Sequence, residues 1–140
     1  AAVLALLAAQ PVDLVCLAGW VHLFPVAPAP AAPGWEGRVL NIHPALLPRH
    51  GGKGYHGDRV HRAVLAAGAR ESGCTVHLAD GAYDHGAMVL QRRVPVLSGD
   101  TPETLAARVF EEECAAYPEA VRRFAAGAIP GQALPPRRAG

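Results

Sequence analysis

The sequence predicts an α/β protein built on an open, mostly parallel sheet with helices on both faces. Three observations predict it. Short, continuous apolar runs have the look of buried strands; helical segments with recognisable start and stop residues separate them; and long glycine- and proline-rich connections follow the strand ends. With 140 residues, 51% of them hydrophobic, the chain has enough apolar surface for one domain with a real core. That domain is expected over residues 1–127, with 128–140 (GQALPPRRAG at its end) as a loose tail.

Residues 1–10 read as the end of a helix of strong helix formers, stopped by Pro11, and residues 12–17 as a short buried strand. The following FPVAPAPAAPGWEG is too rich in proline for a regular helix and reads as a surface connection. A second strand is expected over residues 38–41. After a long loop, Asp58 is placed as the N-cap of a helix over 59–67 that stops at Gly68 and turns Val60, Val64 and Ala67 inward. GCTVHLA (73–79) and MVLQRRVPV (88–96) are the remaining strands, joined by the polar turn DGAYDHGA. Thr101 as N-cap, Pro102 at the first helical position and Glu103 in the first turn announce the longest helix. Leu105, Val109, Tyr117, Val121 and Phe124 form its apolar stripe, and Pro118 is expected to kink or split it.

Thirteen basic against twelve acidic residues leave a formal charge of +1, so no basic field points to nucleic acid and the ligand is expected to be small. Cys16, Cys74 and Cys114 are odd in number and lie in apolar runs, which reads as buried, reduced thiols in a cytoplasmic protein. The apolar start AAVLALLAAQ is too short to span a bilayer and has no basic leader, so no membrane partner is expected. A monomer or a homodimer fits equally well.

The stretch NIHPALLPRHGGKGYHGD (41–58) admits three chemistries. Its G-x-G-x-x-G does not follow a strand directly and lacks the Lys-Ser/Thr of a phosphate loop, so the glycines read as a flexible loop closing over a ligand. His43, His50, His56, His61 and His77 offer imidazole for a metal, but no pair has the H-x-x-x-H spacing of a helical metal site, and His22, His50 and His61 read as surface or loop residues. The third reading is metal-free acyl transfer. An Asn amide can stabilise an oxyanion, an imidazole can move a proton near neutral pH, and a carboxylate can orient that imidazole. Asn41 and His43 at a strand end share one face, and Asp84 stands in the turn after another strand. No G-x-S-x-G elbow and no suitably placed cysteine point to a covalent intermediate. On pattern alone, Asn41 capping a turn and His43 packing in the core remain open.

LAGW (17–20), LNIHPALLPRHGGKGYHG (40–57), SGCTVHLADGAYDHGAMVLQRRVPV (72–96) and GDTPETLAARVFEEECAAYPEAV (99–121) together resemble the phosphoribosylglycinamide formyltransferases, a family of folate-dependent formyltransferases. The resemblance implies a Rossmann-like fold and transfer of a formyl group from 10-formyltetrahydrofolate, a co-substrate, to the amine of glycinamide ribonucleotide, with no metal. It implies Asn41 at the oxyanion, His43 at the formyl oxygen, and Asp84 orienting His43 and taking the ammonium proton. By the same resemblance the folate lies against Trp20, Val21, Leu23, Phe24, Val39, Ala79 and Asp80. Glu113 holds the ribose, and His77 is a supporting or substrate-side residue.

Departures from the family pattern are equally specific. Nothing matches the family's amino-terminal strand and phosphate-holding loop, so the chain is expected to be incomplete at the N-terminus. Ala87 stands where the family has Pro, and residues 25–33 look like a Pro/Ala-rich insertion. Formyltetrahydrofolate deformylase and methionyl-tRNA formyltransferase share the trio. The VPV strand, the TPETLAARV helix start and AAYPEAV favour the glycinamide enzyme. A non-catalytic folate-binding module is the reading from a different class.

Overall fold

The computed structural model describes residues 2–27 and 34–133. The elements run α1 (Ala2–Ala8), β1 (Val15–Leu17), β2 (Val39–His43), α2 (Asp58–Ala66), β3 (Glu71–Leu78), β4 (Met88–Pro95) and α3 (Pro102–Ala125). Residues 28–33 of the expected insertion and 134–140 of the expected tail lie outside the described residues.

The four strands form one open sheet in the order β1-β2-β3-β4. It is mixed rather than mostly parallel: β1 pairs β2 in parallel, while β2–β3 and β3–β4 are antiparallel. For β3 and β4 the reason is length, because residues 79–87 are too few for the crossover that parallel neighbours need. Between β2 and β3 the loop at 44–57 and α2 bring the chain to the carboxyl end of β2, so that β3 runs in the opposite direction.

Helices lie on both faces. On one face Leu40, Cys74, Val76, Leu78, Leu90 and Val94 pack against Leu105, Val109, Ala116, Ala120 and Phe124 of α3. On the other, Leu4 and Leu7 of α1 pack against Leu17, Phe24, Val26, Trp35 and Val39. Two small residues, Ala116 and Ala120, complete the inward stripe of α3, whereas Val121 stays exposed. Thr101 caps the helix as expected, in a reciprocal box with Thr104. Pro118 does not split α3. Its missing N–H removes one helical bond, and buried contacts at Ala116, Ala120 and Phe124 hold both sides in line.

Four local expectations need correction. Gly57, not Asp58, is the N-cap of α2, with φ +57°, a conformation that favours glycine; Asp58 is the first helical residue, where its charge faces the helix dipole. Ala67 is exposed. The 128–140 segment is not loose over its first residues. Ile129 is buried, Gln132 donates to the Phe124 carbonyl at 3.0 Å, and the Ala133 N–H donates to the Gly37 carbonyl at 2.9 Å. Of the cysteines only Cys74 is buried; Cys16 and Cys114 are exposed.

Tyr117 ties α3 to the sheet next to the site. Its hydroxyl lies 2.6 Å from the Leu17 carbonyl and 2.9 Å from the Leu40 carbonyl, bridging the parallel pair at its carboxyl end. Burial pushes the phenol up, so it stays a donor. Tyr117→Phe is expected to cost about 1 kcal/mol of stability, the net worth of a part-buried hydrogen bond. The check is a lower urea midpoint at unchanged slope; an unaltered midpoint would show that the bridge contributes nothing.

Candidate active site

The site is assembled at the carboxyl end of β2. Strand alternation puts Asn41 and His43 on one face, opposite Thr75 and His77 of β3, while Ile42 between them packs toward the core of the other face. The loop after β2 is pinned to this face by Thr75. Its hydroxyl donates to the Ala45 carbonyl at 2.7 Å and accepts from the Leu47 N–H at 3.1 Å and from Gln91 Nε2 at 2.9 Å. Every hydrogen-bonding capacity of that buried hydroxyl is used.

Asp84 comes from the β3–β4 turn with φ +50°, a left-handed conformation that Asp tolerates better than most residues. The turn is closed by Asp80, which accepts from the Ala82 N–H at 2.8 Å and pairs with His85 at 2.7 Å. Asp84 Oδ2 accepts from the Gly52 N–H at 3.0 Å and lies 3.4 Å from His43 Nδ1. Its Oδ1 is 3.5 Å from Asn41 Nδ2 and 3.6 Å from His77 Nε2. Asn41 Nδ2 is also 3.3 Å from His77 Nε2, and His77 Nδ1 donates to the Leu78 carbonyl at 3.0 Å. Asn41, His43 and Asp84 therefore converge as expected, and His77 joins them as a fourth member.

Burial pushes the Asp84 carboxyl up, but the His77 contact, the facing His43 ring and the Gly52 N–H outweigh it and hold it below the ordinary carboxylate value. Burial pushes the His43 imidazolium down, against the Asp84 charge and the His50 carbonyl, which favour it. His43 Nε2 lies 2.7 Å from the His50 carbonyl, which only accepts, so this nitrogen carries a hydrogen. Nδ1 is left facing Asp84, and a proton taken up there closes a charge-assisted bond. The pair can thus hold or release one proton beside the Asn41 amide.

These groups open into a cleft of about 560 Å³. Trp20, Val21 and Leu23 border it while 39%, 47% and 45% exposed, an apolar surface of the kind that ligands cover. Phe24, Ala79, Asp80 and Glu113 also line it, and burial pushes the Glu113 carboxyl up. Val39 does not reach it: the residue is fully buried beneath the site, because its side chain packs with Leu17 and Trp35. Gly52, Gly54, Tyr55 and His56 of the glycine-rich loop form part of the rim.

Two contributors went unread in the sequence. The Gly52 N–H has no sequence signal beyond the glycine density around it. His61, expected at the surface, is buried and lines the cleft. Its position beside Val60 and one turn before Val64 puts it on the inward face of α2, a periodicity that was there to be seen. Among the described residues, no group of three or more His, Cys, Asp and Glu is placed to hold a metal ion, and no helix is long and apolar enough to cross a membrane.

Residues 1–121 match the family described as formyl transferase. The chain belongs to the formyl transferase family. Within this family it is 54% identical over 110 residues to the chloroplastic phosphoribosylglycinamide formyltransferase of Vigna unguiculata, covering 79% of this chain and 34% of that relative. It is 45% identical over 118 residues to the trifunctional purine biosynthetic protein adenosine-3 of Gallus gallus, covering 84% of this chain and 11% of the relative. Among solved structures, glycinamide ribonucleotide transformylase 1 from Symbiobacterium toebii superposes with a TM-score of 0.76 at 44% identity, over 90% of this chain and 56% of that one. A formyltetrahydrofolate deformylase from Pseudomonas syringae, 21% identical with a TM-score of 0.74, shares the fold. The chain spans about a third of the length of the plant relatives it matches.

The Asp84 turn depends on a close approach. A Cβ on Gly86 would stand 1.5 Å from the Leu78 carbonyl oxygen, a backbone atom that cannot swing aside. Gly86→Ala is expected to destabilise the fold by about 1–3 kcal/mol, the range for forced overpacking. Thermal unfolding checks it, and a melting midpoint equal to that of the native chain would mean the turn opens without cost.

Proposed function

We propose that this chain carries the folate and catalytic part of a single phosphoribosylglycinamide formyltransferase domain. In this reading it moves a formyl group from 10-formyltetrahydrofolate to the amine of glycinamide ribonucleotide, a step of purine biosynthesis. The observation that carries the reading is the convergence of Asn41, His43 and Asp84 in an apolar-walled cleft, in a chain 54% identical over 110 residues to a protein of that name.

The attacking amine must be neutral and the formyl oxygen must gain charge. Asp84, held as a carboxylate, takes a proton from the substrate ammonium. The amine nitrogen then bonds to the formyl carbon, and its electron pair displaces the C=O π pair onto oxygen. The Asn41 amide and a His43 N–H donate to that oxyanion, and the low-polarity wall strengthens both bonds. On collapse the attacking nitrogen gives up its second proton and the bond from carbon to the folate nitrogen breaks; of the two protons released through the Asp84–His43 pair, one goes to the leaving nitrogen and the other to solvent. In the structure the His50 carbonyl occupies His43 Nε2, and His50 itself has φ +55°. Substrate entry exchanges that strained loop contact for the formyl oxygen.

Trp20, Val21, Leu23 and Phe24 offer the folate ring a flat apolar surface, and the backbone of Ala79 and Asp80 offers it polar partners, since the Asp80 carboxylate is spent on its own turn. Val39 supports this surface from below. Glu113 accepts from ribose hydroxyls. The three unpaired cysteines fit a reducing compartment, of which the cytoplasm is the one we propose.

Incubation with 10-formyltetrahydrofolate and glycinamide ribonucleotide tests the reading. Formyl transfer that requires the ribonucleotide supports it. Formate released equally fast without the ribonucleotide makes the protein a deformylase, and folate bound without turnover makes it a binding module. Asp84→Asn is expected to slow transfer by about 100-fold to 10,000-fold, the range for general acid–base groups, with folate binding largely retained. Undiminished turnover in that variant would remove Asp84 from the mechanism.

A further inference from the structure

His61 is a buried polar group that the mechanism leaves unused. It lies on the inward face of α2 with Val60 and Val64 and is 5% exposed. Its Nδ1 is sealed from solvent without a hydrogen-bond partner, while the residue lines the cleft and feels the charges of Asp58 and His43. An apolar side chain there would fill the space and leave no ring nitrogen unsatisfied. A local violation of this kind persists where a ligand rewards it.

The burial that seals Nδ1 also disfavours the charged ring, and a neutral imidazole has one N–H. Buried orphan N–H groups are rarer than orphan acceptors, so Nδ1 keeps the lone pair and Nε2 carries the hydrogen. That hydrogen is available on the wall built by α2 and α3, together with Phe110 and Glu113, and not on the Trp20–Phe24 segment read above as the folate surface.

We propose that His61 is a binding residue for the amine-bearing substrate, its Nε2–H donating a hydrogen bond to one of that substrate's oxygens and so holding the amine before His43. The proposal rests on the formyl-transfer reading and adds a residue to it.

The test uses His61→Leu and His61→Gln, with the initial rate measured against each substrate in turn and with thermal unfolding. His61→Leu is expected to raise the KM for glycinamide ribonucleotide about tenfold, the loss of one hydrogen bond, with the KM for 10-formyltetrahydrofolate unchanged. The same variant melts no lower than the native protein, because the orphan nitrogen has gone. His61→Gln, whose amide offers an N–H near the position of Nε2, recovers most of the lost affinity. Unchanged KM values, a rise confined to the folate, or a lower melting midpoint with both KM values raised would each overturn the proposal. A native protein that shows no ribonucleotide-dependent transfer would overturn the formyl-transfer reading itself, and this inference with it, before any substitution is compared.

Discussion

The Asp84 carboxylate is the group around which the site is organised. A carboxylate has about four lone-pair directions, and here four groups face them: the Gly52 N–H at 3.0 Å, His43 Nδ1 at 3.4 Å, Asn41 Nδ2 at 3.5 Å and His77 Nε2 at 3.6 Å. They come from β2, from the loop that follows it, and from β3. One side chain thus fixes three segments against each other. Without its charge, two buried imidazoles would face one another with nothing to balance a proton on either, and the Gly52 loop would lose the acceptor that draws it over the cleft.

That arrangement is possible because β2 divides its residues cleanly. Leu40 and Ile42 point to the α3 side, and Val39, Asn41 and His43 to the other. A one-residue slip would bury Asn41 and His43 among the leucines and valines of the α3 core, at the cost of unpaired polar groups in an apolar layer. The register is secured by two bonds at the start of β2. The Ala79 N–H donates to the Val39 carbonyl at 2.8 Å, and the Tyr117 hydroxyl reaches the Leu40 carbonyl at 2.9 Å. Core packing and the geometry of the site are therefore set by the same alternation, and neither can drift without the other.

Local signals in the sequence carried most of this. Apolar runs located β2, β3 and β4, and the Thr101–Pro102–Glu103 start located α3, because strand period and capping chemistry are properties of neighbouring residues. The trio Asn41, His43 and Asp84 was legible as chemistry and became specific through family resemblance. What escaped depends on partners distant in the chain. Sheet direction between β2 and β3 is set by where the loop at 44–57 returns, which no short window encodes. The burial of Val39 and the anchoring of Ile129 and Gln132 are decided by Trp35, Phe124 and Gly37. His61 was legible by periodicity and missed because a histidine among so many reads as surface.

Most departures from local preference fall in one place, the buried and unpartnered Ser72 hydroxyl lying apart from it. His50 and Asp84 adopt positive φ, His61 keeps an unpartnered nitrogen, and Trp20, Val21 and Leu23 leave apolar surface in solvent, and all of them border the cleft or bind the residues that do. The α3 cap, the Thr75 hydroxyl and the α3 core, by contrast, have their hydrogen bonds made and their apolar surface covered. A backbone residue held at positive φ costs on the order of 1–3 kcal/mol and survives only where the surroundings over-determine it. Two such residues meet the same pair of side chains: Asp84 directly, and His50 through the carbonyl it places on His43. Stability stored elsewhere in the fold is in this way spent on holding a carboxylate, an imidazole and an amide together at the cleft.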